Sequence, residues 1–284
     1  MDMILDALCL TGVAGAAAAA LDVEPPRSAA SPLETVVKGA ERAFRGEKAD
    51  RVLLYNPDAV ALWLYQKYTP FFQEIMLRTQ LAIPLRSVMP SVTPVCFASM
   101  YTGAMPAVHG IQAYEKPVLR TDTLFDALIR AGKRPAIVST EGDSISKIFL
   151  EREMDYFLYQ TPEECNQKAL ELIAEDRHDL ITVYNGDYDA AMHRCSPEGE
   201  QALETLRRNA AVFAELSDAA ERCWGGHNTL TAFAPDHGCH EIDGRLGSHG
   251  LGMEAEYYPF LWVPAPEKDG LNRKLPALCR LINQ

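Results

Sequence analysis

The chain has 284 residues, of which 48% are hydrophobic and 23% charged, so it can bury a large core, and its composition excludes disordered and fibrous proteins. Its 27 Lys and Arg against 39 Asp and Glu give a formal net charge of −12. Because such a surface repels polyanions, we expect no nucleic-acid polymer and no anionic membrane as a partner.

The seven cysteines are scattered and contain no CxxC pair, which argues against a zinc ribbon or a redox dithiol. Reduced thiols in a cytoplasmic protein fit this pattern. The apolar N-terminal segment carries Asp2 and Asp6 and has no positively charged start, so a signal peptide is not predicted. No stretch reaches the ~18 to 20 uninterrupted apolar residues of a transmembrane helix.

Residues 21–34 are rich in Pro, Ser and Ala, which is typical of a linker, and a helix is predicted over 34–44. We expect an N-terminal helical extension and linker over 1–50 and a single main domain over 51–284. Within that domain, short apolar runs alternate with helical patterns. The runs are 51–56, 133–139, 179–185, 229–235 and 258–264.

Apolar runs without strict alternation are typical of strands that are buried on both faces. Amphipathic helices are predicted over 198–224 and in the segment before Gly132, where the glycine ends the helix. The sequence therefore predicts an α/β fold, with a mostly parallel, doubly wound sheet and helices on both faces.

Carboxylates and imidazoles follow these runs at the predicted carboxyl ends of the strands, where doubly wound proteins bind ligands. Asp189 and His193 are spaced to share one face of a helical turn. Unpaired anions gathered at one edge would repel one another, and a divalent metal removes that conflict. Oxygen and imidazole donors suit Zn²⁺, with Mn²⁺ as the alternative. These side chains are Asp58, Asp187, Asp189, His193, Asp236, His237 and His240, with the thiol of Cys239 among them and His249 further along the chain.

The segment 89–111 is dense in small and hydroxyl residues, and Thr93 is predicted to begin a helix. A hydroxyl at that position, surrounded by free backbone N–H groups, can present a nucleophile to an anionic substrate. A plain helix-capping role for Thr93 explains the same pattern. Ser91 is the next candidate nucleophile.

Taken in order, these motifs resemble the alkaline phosphatase superfamily, in particular its type I phosphodiesterase/nucleotide pyrophosphatase branch. The resemblance spans roughly residues 51–265. It rests on an early Asp58, on Thr93 ten residues before the glycine of Thr102-Gly103, on Pro106 and His109-Gly110-Ile111, on Asp189-Ala-Ala-Met-His193, on Asp236-His237-Gly238 and on His249-Gly250.

The resemblance implies a two-metal site with a covalent phosphothreonine intermediate formed on Thr93. It assigns Asp189, His193 and His249 to one ion, and Asp58, Thr93, Asp236 and His237 to the other. The domain over 51–284 would then be an alkaline phosphatase-like catalytic domain. Its substrate would be a small phosphate ester, and its oligomeric state stays open.

Several positions depart from the family pattern. Cys96 stands where the family commonly has Asn to hydrogen-bond a phosphoryl oxygen, and a thiol is a weak donor. Met192 replaces the glycine of the Asp-x-x-Gly-His element. Asp187 is an alternative to Asp189 as a metal ligand, and Asn56 is an alternative to Asp58. His240 is either an outer contact of the site or an ordinary loop residue.

The predicted function is a phosphodiesterase or nucleotide pyrophosphatase. Phosphomonoesterases, phosphonate hydrolases and phosphomutases share the metal site and remain alternatives, with spans 62–88 and 140–178 as candidates for covering a substrate. A sulfatase is set aside because the residues after Cys96 lack the Pro and Arg of its motif. A non-catalytic binding protein that keeps the fold is the remaining hypothesis.

Overall fold

The computed structural model describes residues 8–251 and 258–264. Its main sheet has the strand order β2-β9-β6-β1-β5-β3-β4. The strands are β1 (Arg51–Pro57), β2 (Leu81–Leu85), β3 (Pro135–Thr140), β4 (Asp155–Tyr159), β5 (Leu180–Asn185), β6 (Thr229–Phe233) and β9 (Tyr258–Pro264), and β7 (His240–Ile242) pairs with β8 (Leu246–Ser248) in a separate hairpin.

The five strands β6, β1, β5, β3 and β4 run parallel, whereas β9 is antiparallel to both β6 and β2. The predicted mostly parallel α/β sheet is therefore confirmed. The sequence missed β2 and β4. Pro84 lies in β2, which is an edge strand, and proline is tolerated at an edge because it need not donate to the ladder.

Helices cover both faces of the sheet. One core contains Val52 and Leu54 of β1 and the other contains Leu53 and Tyr55, as the alternation of side chains along a strand requires. Helices of the first face are Gly12–Ala20, Glu34–Ala43, Thr93–Thr102, Leu124–Arg130 and Ser144–Ile148. Those of the second are Leu62–Lys67, Gln73–Met76, Pro162–Glu175, Asp187–Cys195 and Glu200–Cys223; a 3-10 turn (Thr69–Phe72) and the short helix Pro106–His109 complete the described set.

The N-terminal residues that the structure describes pack into the first core. The helix Gly12–Ala20 is almost wholly buried, and the Leu10 N–H donates to the Arg86 carbonyl next to β2. The division into regions 1–50 and 51–284 stays a prediction. The spans 62–88 and 140–178 contribute strands and helices to the central layers, including β2, β4 and the helix Pro162–Glu175.

None of the described helices is long and apolar enough to cross a membrane. No disulfide forms among the cysteines that the structure describes. Reduced thiols and a cytoplasmic location stay predictions.

Candidate two-metal active site

Two clusters of potential metal ligands lie at the carboxyl edge of the parallel strands. Asp58, Asp236 and His237 form the first cluster, which is fully buried, and Asp189, His193 and His249 form the second, which is partly exposed. Within each cluster the ligand atoms lie within 4.8 Å of one another. The Asp and His residues of these clusters are grouped as the family resemblance implies.

The first cluster is assembled by β1 and β6, which are neighbours in the sheet. Asp58 directly follows β1, and Asp236 and His237 lie just after β6. The His237 Nε2 atom is 3.3 Å from Asp58 Oδ1 and 3.3 Å from Asp236 Oδ2. Asp236 Oδ1 accepts from the backbone N–H groups of Ala59 and His237, which fixes its orientation.

The second cluster joins the helix Asp187–Cys195 to the β7–β8 hairpin. Asp189 Oδ1 lies 3.2 Å from His193 Nε2 and 3.4 Å from His249 Nε2. The hairpin fits there because Gly247 has no side chain, since a Cβ would come within 2.3 Å of the Met192 sulfur. Met192, which departs from the family glycine, is thus accommodated by a glycine on the facing strand.

The imidazoles present their Nε2 atoms to the carboxylates. His193, His237 and His249 each place Nδ1 2.9 Å from a backbone carbonyl, those of Gly247, Gly238 and Ser91 respectively. When Nδ1 donates in a neutral imidazole, Nε2 carries only a lone pair. Lone pairs therefore face carboxylate oxygens, an arrangement that a shared cation stabilises.

The carboxylate oxygens in these clusters support the same conclusion. Asp58 Oδ1, Asp189 Oδ1 and Asp236 Oδ2 are buried and accept no hydrogen bond. Buried polar atoms without a partner are rare and costly in folded proteins. All three face an imidazole Nε2. The residues therefore fit a divalent metal in each cluster.

Electrostatics of the first cluster are unfavourable without a cation. Burial, and then the charge of Asp189, raise the pKa of Asp58 to about 7. Burial and the charge of Asp58 raise the pKa of Asp236 well above its ordinary value, and burial lowers the pKa of His237 to about 3. Burial thus penalises the charged form of every group in the cluster.

The second cluster is partly balanced by its own imidazoles. Burial raises the pKa of Asp189, but the favourable interaction of its carboxylate with His193 and His249, when these imidazoles are protonated, outweighs burial and holds that pKa below its ordinary value. Asp189 in turn raises the pKa of His193. Among the described residues, the ion pairs formed by the carboxylates of the two clusters are all with imidazoles.

Thr93 lies beside the first cluster, at the start of the helix Thr93–Thr102. Its Oγ1 is 3.2 Å from Asp58 Oδ2 and 3.4 Å from His237 Nε2. The backbone N–H groups of Val95 and Cys96 are not free, because both donate to the Val92 carbonyl, and Pro94 has no N–H.

The remaining candidates lie outside the two clusters. Cys96 is buried in the apolar core of the first face, Asp187 pairs with Arg208 at 2.7 Å, and His240 lies on β7 opposite Ser248. Asn56 donates to the Ala234 carbonyl and accepts from the Tyr101 hydroxyl, so both ends of its amide are used. The geometry thus favours Asp58 over Asn56, and Asp189 over Asp187.

Sequence reasoning missed the contact of Tyr184 with Asp58, and it considered Ser91 only as an alternative nucleophile and not as a support of His249. The Tyr184 hydroxyl donates to Asp58 Oδ2 at 2.5 Å, although its position in an apolar strand looks like that of any core residue. Ser91 accepts from His249 Nδ1 through its carbonyl and from the Gly250 N–H through its hydroxyl, at 2.9 and 3.1 Å. The sequence signal for a role of Ser91 in the site was its position two residues before Thr93.

Tyr114 interacts with the site, and Lys116 lies beside Tyr114. Burial, and then the charges of Asp58 and Asp189, raise the pKa of Tyr114, yet 63% of the residue is exposed. The Lys116 ammonium lies 5.4 Å from the centre of the Tyr114 ring and donates to the Gly142 carbonyl at 3.0 Å. The Tyr114 ring thus lies within electrostatic reach of the metal clusters, and a tethered cation lies beside the ring.

Comparison with known proteins supports the motif-based prediction. The family model for type I phosphodiesterase/nucleotide pyrophosphatase matches residues 55–126, which include Asp58 and Thr93. No curated protein sequence matches the chain.

Solved structures share the fold at low sequence identity. Human ectonucleotide pyrophosphatase/phosphodiesterase 5 has 14% identity over 82% of this chain and 95% of its own, with a TM-score of 0.62. The mouse protein, an inactive threonine-to-alanine variant in complex with AMP, has 18% identity over 68% of this chain, with a TM-score of 0.57. The match spans 58% of that mouse chain.

A bacterial structure is also similar. Phosphonoacetate hydrolase from Sinorhizobium meliloti 1021, in complex with phosphonoformate, has 20% identity over 70% of this chain and 60% of its own, with a TM-score of 0.53. The order of motifs, the family match and the shared fold agree. The chain therefore shares the fold of these hydrolase structures and resembles the type I phosphodiesterase/nucleotide pyrophosphatase family over residues 55–126.

Proposed function

We propose that this protein is a metal-dependent phosphoryl hydrolase with a threonine nucleophile and two divalent metal ions, acting on small phosphodiesters or nucleotide pyrophosphate bonds. The observation that carries the proposal is the position of Thr93 beside two carboxylate–imidazole clusters whose oxygens lack hydrogen-bond partners. The family match over residues 55–126 supports the same reaction class.

Each cluster would hold one ion. Asp189, His193 and His249 would bind one, and Asp58, Asp236 and His237, with the Thr93 hydroxyl, the other. Oxygen and imidazole donors without a thiolate suit Zn²⁺, with Mn²⁺ as the alternative. Bound there, such ions make a hydroxyl more acidic and stabilise negative charge on phosphoryl oxygens.

The residues of the chain supply the remaining steps. Thr93 Oγ1 forms a bond to phosphorus while the bond to the leaving oxygen breaks. Asp58 Oδ2, 3.2 Å from Oγ1, is the atom that can take up the Thr93 proton. Water then hydrolyses the phosphothreonine, which releases the phosphoryl product and restores the Thr93 hydroxyl.

A phosphonate hydrolase is the second candidate, because the Sinorhizobium meliloti structure shares the fold and was solved with a phosphonate bound. Phosphomonoesterase and phosphomutase activities would use the same clusters. The proposed partners are small phosphate esters in the cytoplasm, with no nucleic-acid polymer and no membrane.

A substrate screen tests the proposal. The purified chain is stripped of metal, reloaded with Zn²⁺ or with Mn²⁺, and assayed against phosphodiesters, nucleotide pyrophosphates, phosphomonoesters and phosphonates. We expect turnover of diesters or pyrophosphates that chelator abolishes and metal restores. A folded chain that binds neither metal and hydrolyses none of these compounds would favour a non-catalytic binding protein.

A further inference from the structure

The two oxygens of the Asp58 carboxylate have different surroundings. Oδ2 accepts hydrogen bonds from the Tyr184 hydroxyl at 2.5 Å and from the Thr93 hydroxyl at 3.2 Å. Oδ1 accepts none and lies 3.3 Å from His237 Nε2. The two hydroxyl donors thus bind Oδ2, and Oδ1, which faces His237, stays available to bind a metal ion.

The Tyr184 hydroxyl is held firmly in that position. Tyr184 lies on β5 beside β1, where its Cα is paired with that of Asn56, two residues before Asp58. Its ring meets the edge of Phe97, a residue of the Thr93 helix, with centroids 5.6 Å apart and planes at 80°. Gly186 leaves room for the phenol, since a Cβ at that position would lie 2.8 Å from the hydroxyl oxygen.

We propose that Tyr184 is a positioning residue of the active site, whose hydroxyl orients Asp58 so that Oδ1 faces the metal and Thr93 remains the weaker of the two donors to Oδ2. The inference rests on the proposed function, because it assumes that the Asp58 cluster holds an ion. Hydrogen-bond partners of metal ligands fix ligand orientation, and their removal typically costs 10–100-fold in metal affinity or activity.

Loss of the Tyr184 hydroxyl would change the contacts of Asp58 with both Thr93 and His237. Without the stronger donor, the Thr93 hydroxyl would be the only group bonded to Oδ2, and the carboxylate would be freer to rotate away from His237. The same substitution would therefore weaken one metal site and draw the nucleophile towards Asp58. The second cluster, held by Gly247 and Ser91, would be unaffected.

Tyr101 provides a matched control. It is buried like Tyr184, and its hydroxyl donates at 2.7 Å to Asn56, which lies two residues before Asp58 and belongs to neither metal cluster. Tyr101→Phe and Tyr184→Phe remove the same atom from the same core. A general packing defect would affect both variants, whereas a positioning role belongs to Tyr184 alone.

The experiment is a calorimetric titration of metal-free wild type, Tyr184→Phe and Tyr101→Phe with Zn²⁺. We expect two ions per wild-type chain. In Tyr184→Phe one of the two affinities should fall by about 10–100-fold while the other is unchanged, and Tyr101→Phe should match the wild type. With both sites saturated, Tyr184→Phe should lower kcat more than it raises KM, because the nucleophile itself is misplaced.

Two results would overturn the proposal: unchanged binding of both ions by Tyr184→Phe, or equal weakening in the two variants. A wild type that binds no metal would instead overturn the proposed function. If Tyr184→Phe fails to fold, proton NMR of the wild type provides the test. The proton of a short hydrogen bond between a phenol and a carboxylate resonates far downfield. That resonance should persist after Zn²⁺ loading, and its loss on loading would contradict the proposal.

Discussion

The imidazole of His249 stacks on that of His237, with ring centroids 4.1 Å apart and planes at 29°. His237 belongs to the first cluster and His249 to the second, so the two candidate metal sites are in direct contact through their ligands. Each ring is nevertheless fixed by its own backbone carbonyl, that of Gly238 or of Ser91. The sites are therefore neighbours with separate supports.

Because each imidazole is held by a different backbone carbonyl, we expect that substitution of one histidine ligand removes one ion and leaves the other bound. His249→Ala should lower the metal content from about two ions per chain towards one, by removing a ligand of the second cluster. His237→Ala should empty the first cluster and abolish turnover. Elemental analysis after gel filtration measures the stoichiometry, with circular dichroism to confirm folding.

His227→Ala is the control for these substitutions, because His227 pairs with Asp50 and Asp176, which belong to neither cluster. It should keep the full metal content. A His249→Ala protein that retains both ions at unchanged affinity would show that His249 is not a metal ligand, and that another residue completes the second site.

Thr93 is predicted to be essential for turnover and dispensable for the fold. Thr93→Ala should abolish hydrolysis while both metals remain bound, because the clusters keep their Asp and His ligands. Thr93→Ser restores a hydroxyl and should recover part of the rate. It should also form a covalent phosphorylated protein that can be trapped and detected by mass spectrometry. Near-normal turnover by Thr93→Ala would contradict the mechanism and direct attention to Ser91.

Much of this architecture could be predicted from the sequence. The apolar runs before Asp58, Asp189 and Asp236 are parallel strands, so local patterning was enough to predict which residues follow strand ends. The sequence could not show the contact between His193 and His249, because it depends on a hairpin that packs on a distant helix through Gly247. Nor could it distinguish Tyr184 from core tyrosines, since only strand register brings its hydroxyl to Asp58.

Diesters should be better substrates than monoesters. A monoester dianion needs extra positive charge, yet in the described part of the chain the cluster carboxylates pair only with imidazoles, and Lys116 is held by Gly142. Comparing kcat/KM for methyl p-nitrophenyl phosphate and p-nitrophenyl phosphate tests this with one leaving group. A monoester preference of about tenfold or more, which corresponds to about 1.4 kcal/mol of transition-state stabilisation, would favour a phosphatase or mutase.

Gly247→Ala should loosen the second cluster by forcing β8 away from the helix Asp187–Cys195. The added Cβ would lie 2.8 Å from the Met192 carbonyl and 2.3 Å from its sulfur, and only the side chain can move aside cheaply. We expect a loss of roughly 1–3 kcal/mol in the free energy of unfolding, as for other overpacked sites, and weaker binding of one ion.

Gly226→Ala is the matched control, because a Cβ at that position would meet nothing within 4 Å. Urea unfolding and zinc titration of both variants test the prediction. If Gly247→Ala keeps wild-type stability and both metal affinities, the close approach of Gly247 to Met192 does not position His249.

The last prediction concerns His109, which ties the segment leading to Tyr114 to the Thr93 helix. Its Nδ1 accepts from the Ile111 N–H at 3.2 Å, so Nε2 carries the proton and donates to Ser99 Oγ at 2.8 Å. Burial lowers the pKa of His109 from 6.5 to about 4. Between these values the unfolded chain binds more protons than the folded chain, so acidification destabilises the fold there.

Replacing His109 by Gln should remove this contribution to the pH dependence of stability. Between pH 7 and pH 4.5, the free energy of unfolding of the metal-free wild type should fall by roughly 1–3 kcal/mol more than that of His109→Gln. Ser99→Ala keeps the imidazole and its bond to Ile111. Its free energy of unfolding should be lower than that of the wild type at both pH values, but it should change with pH as in the wild type. Urea unfolding at the two pH values measures the difference, and parallel curves for the wild type and His109→Gln would show that His109 does not titrate in this range.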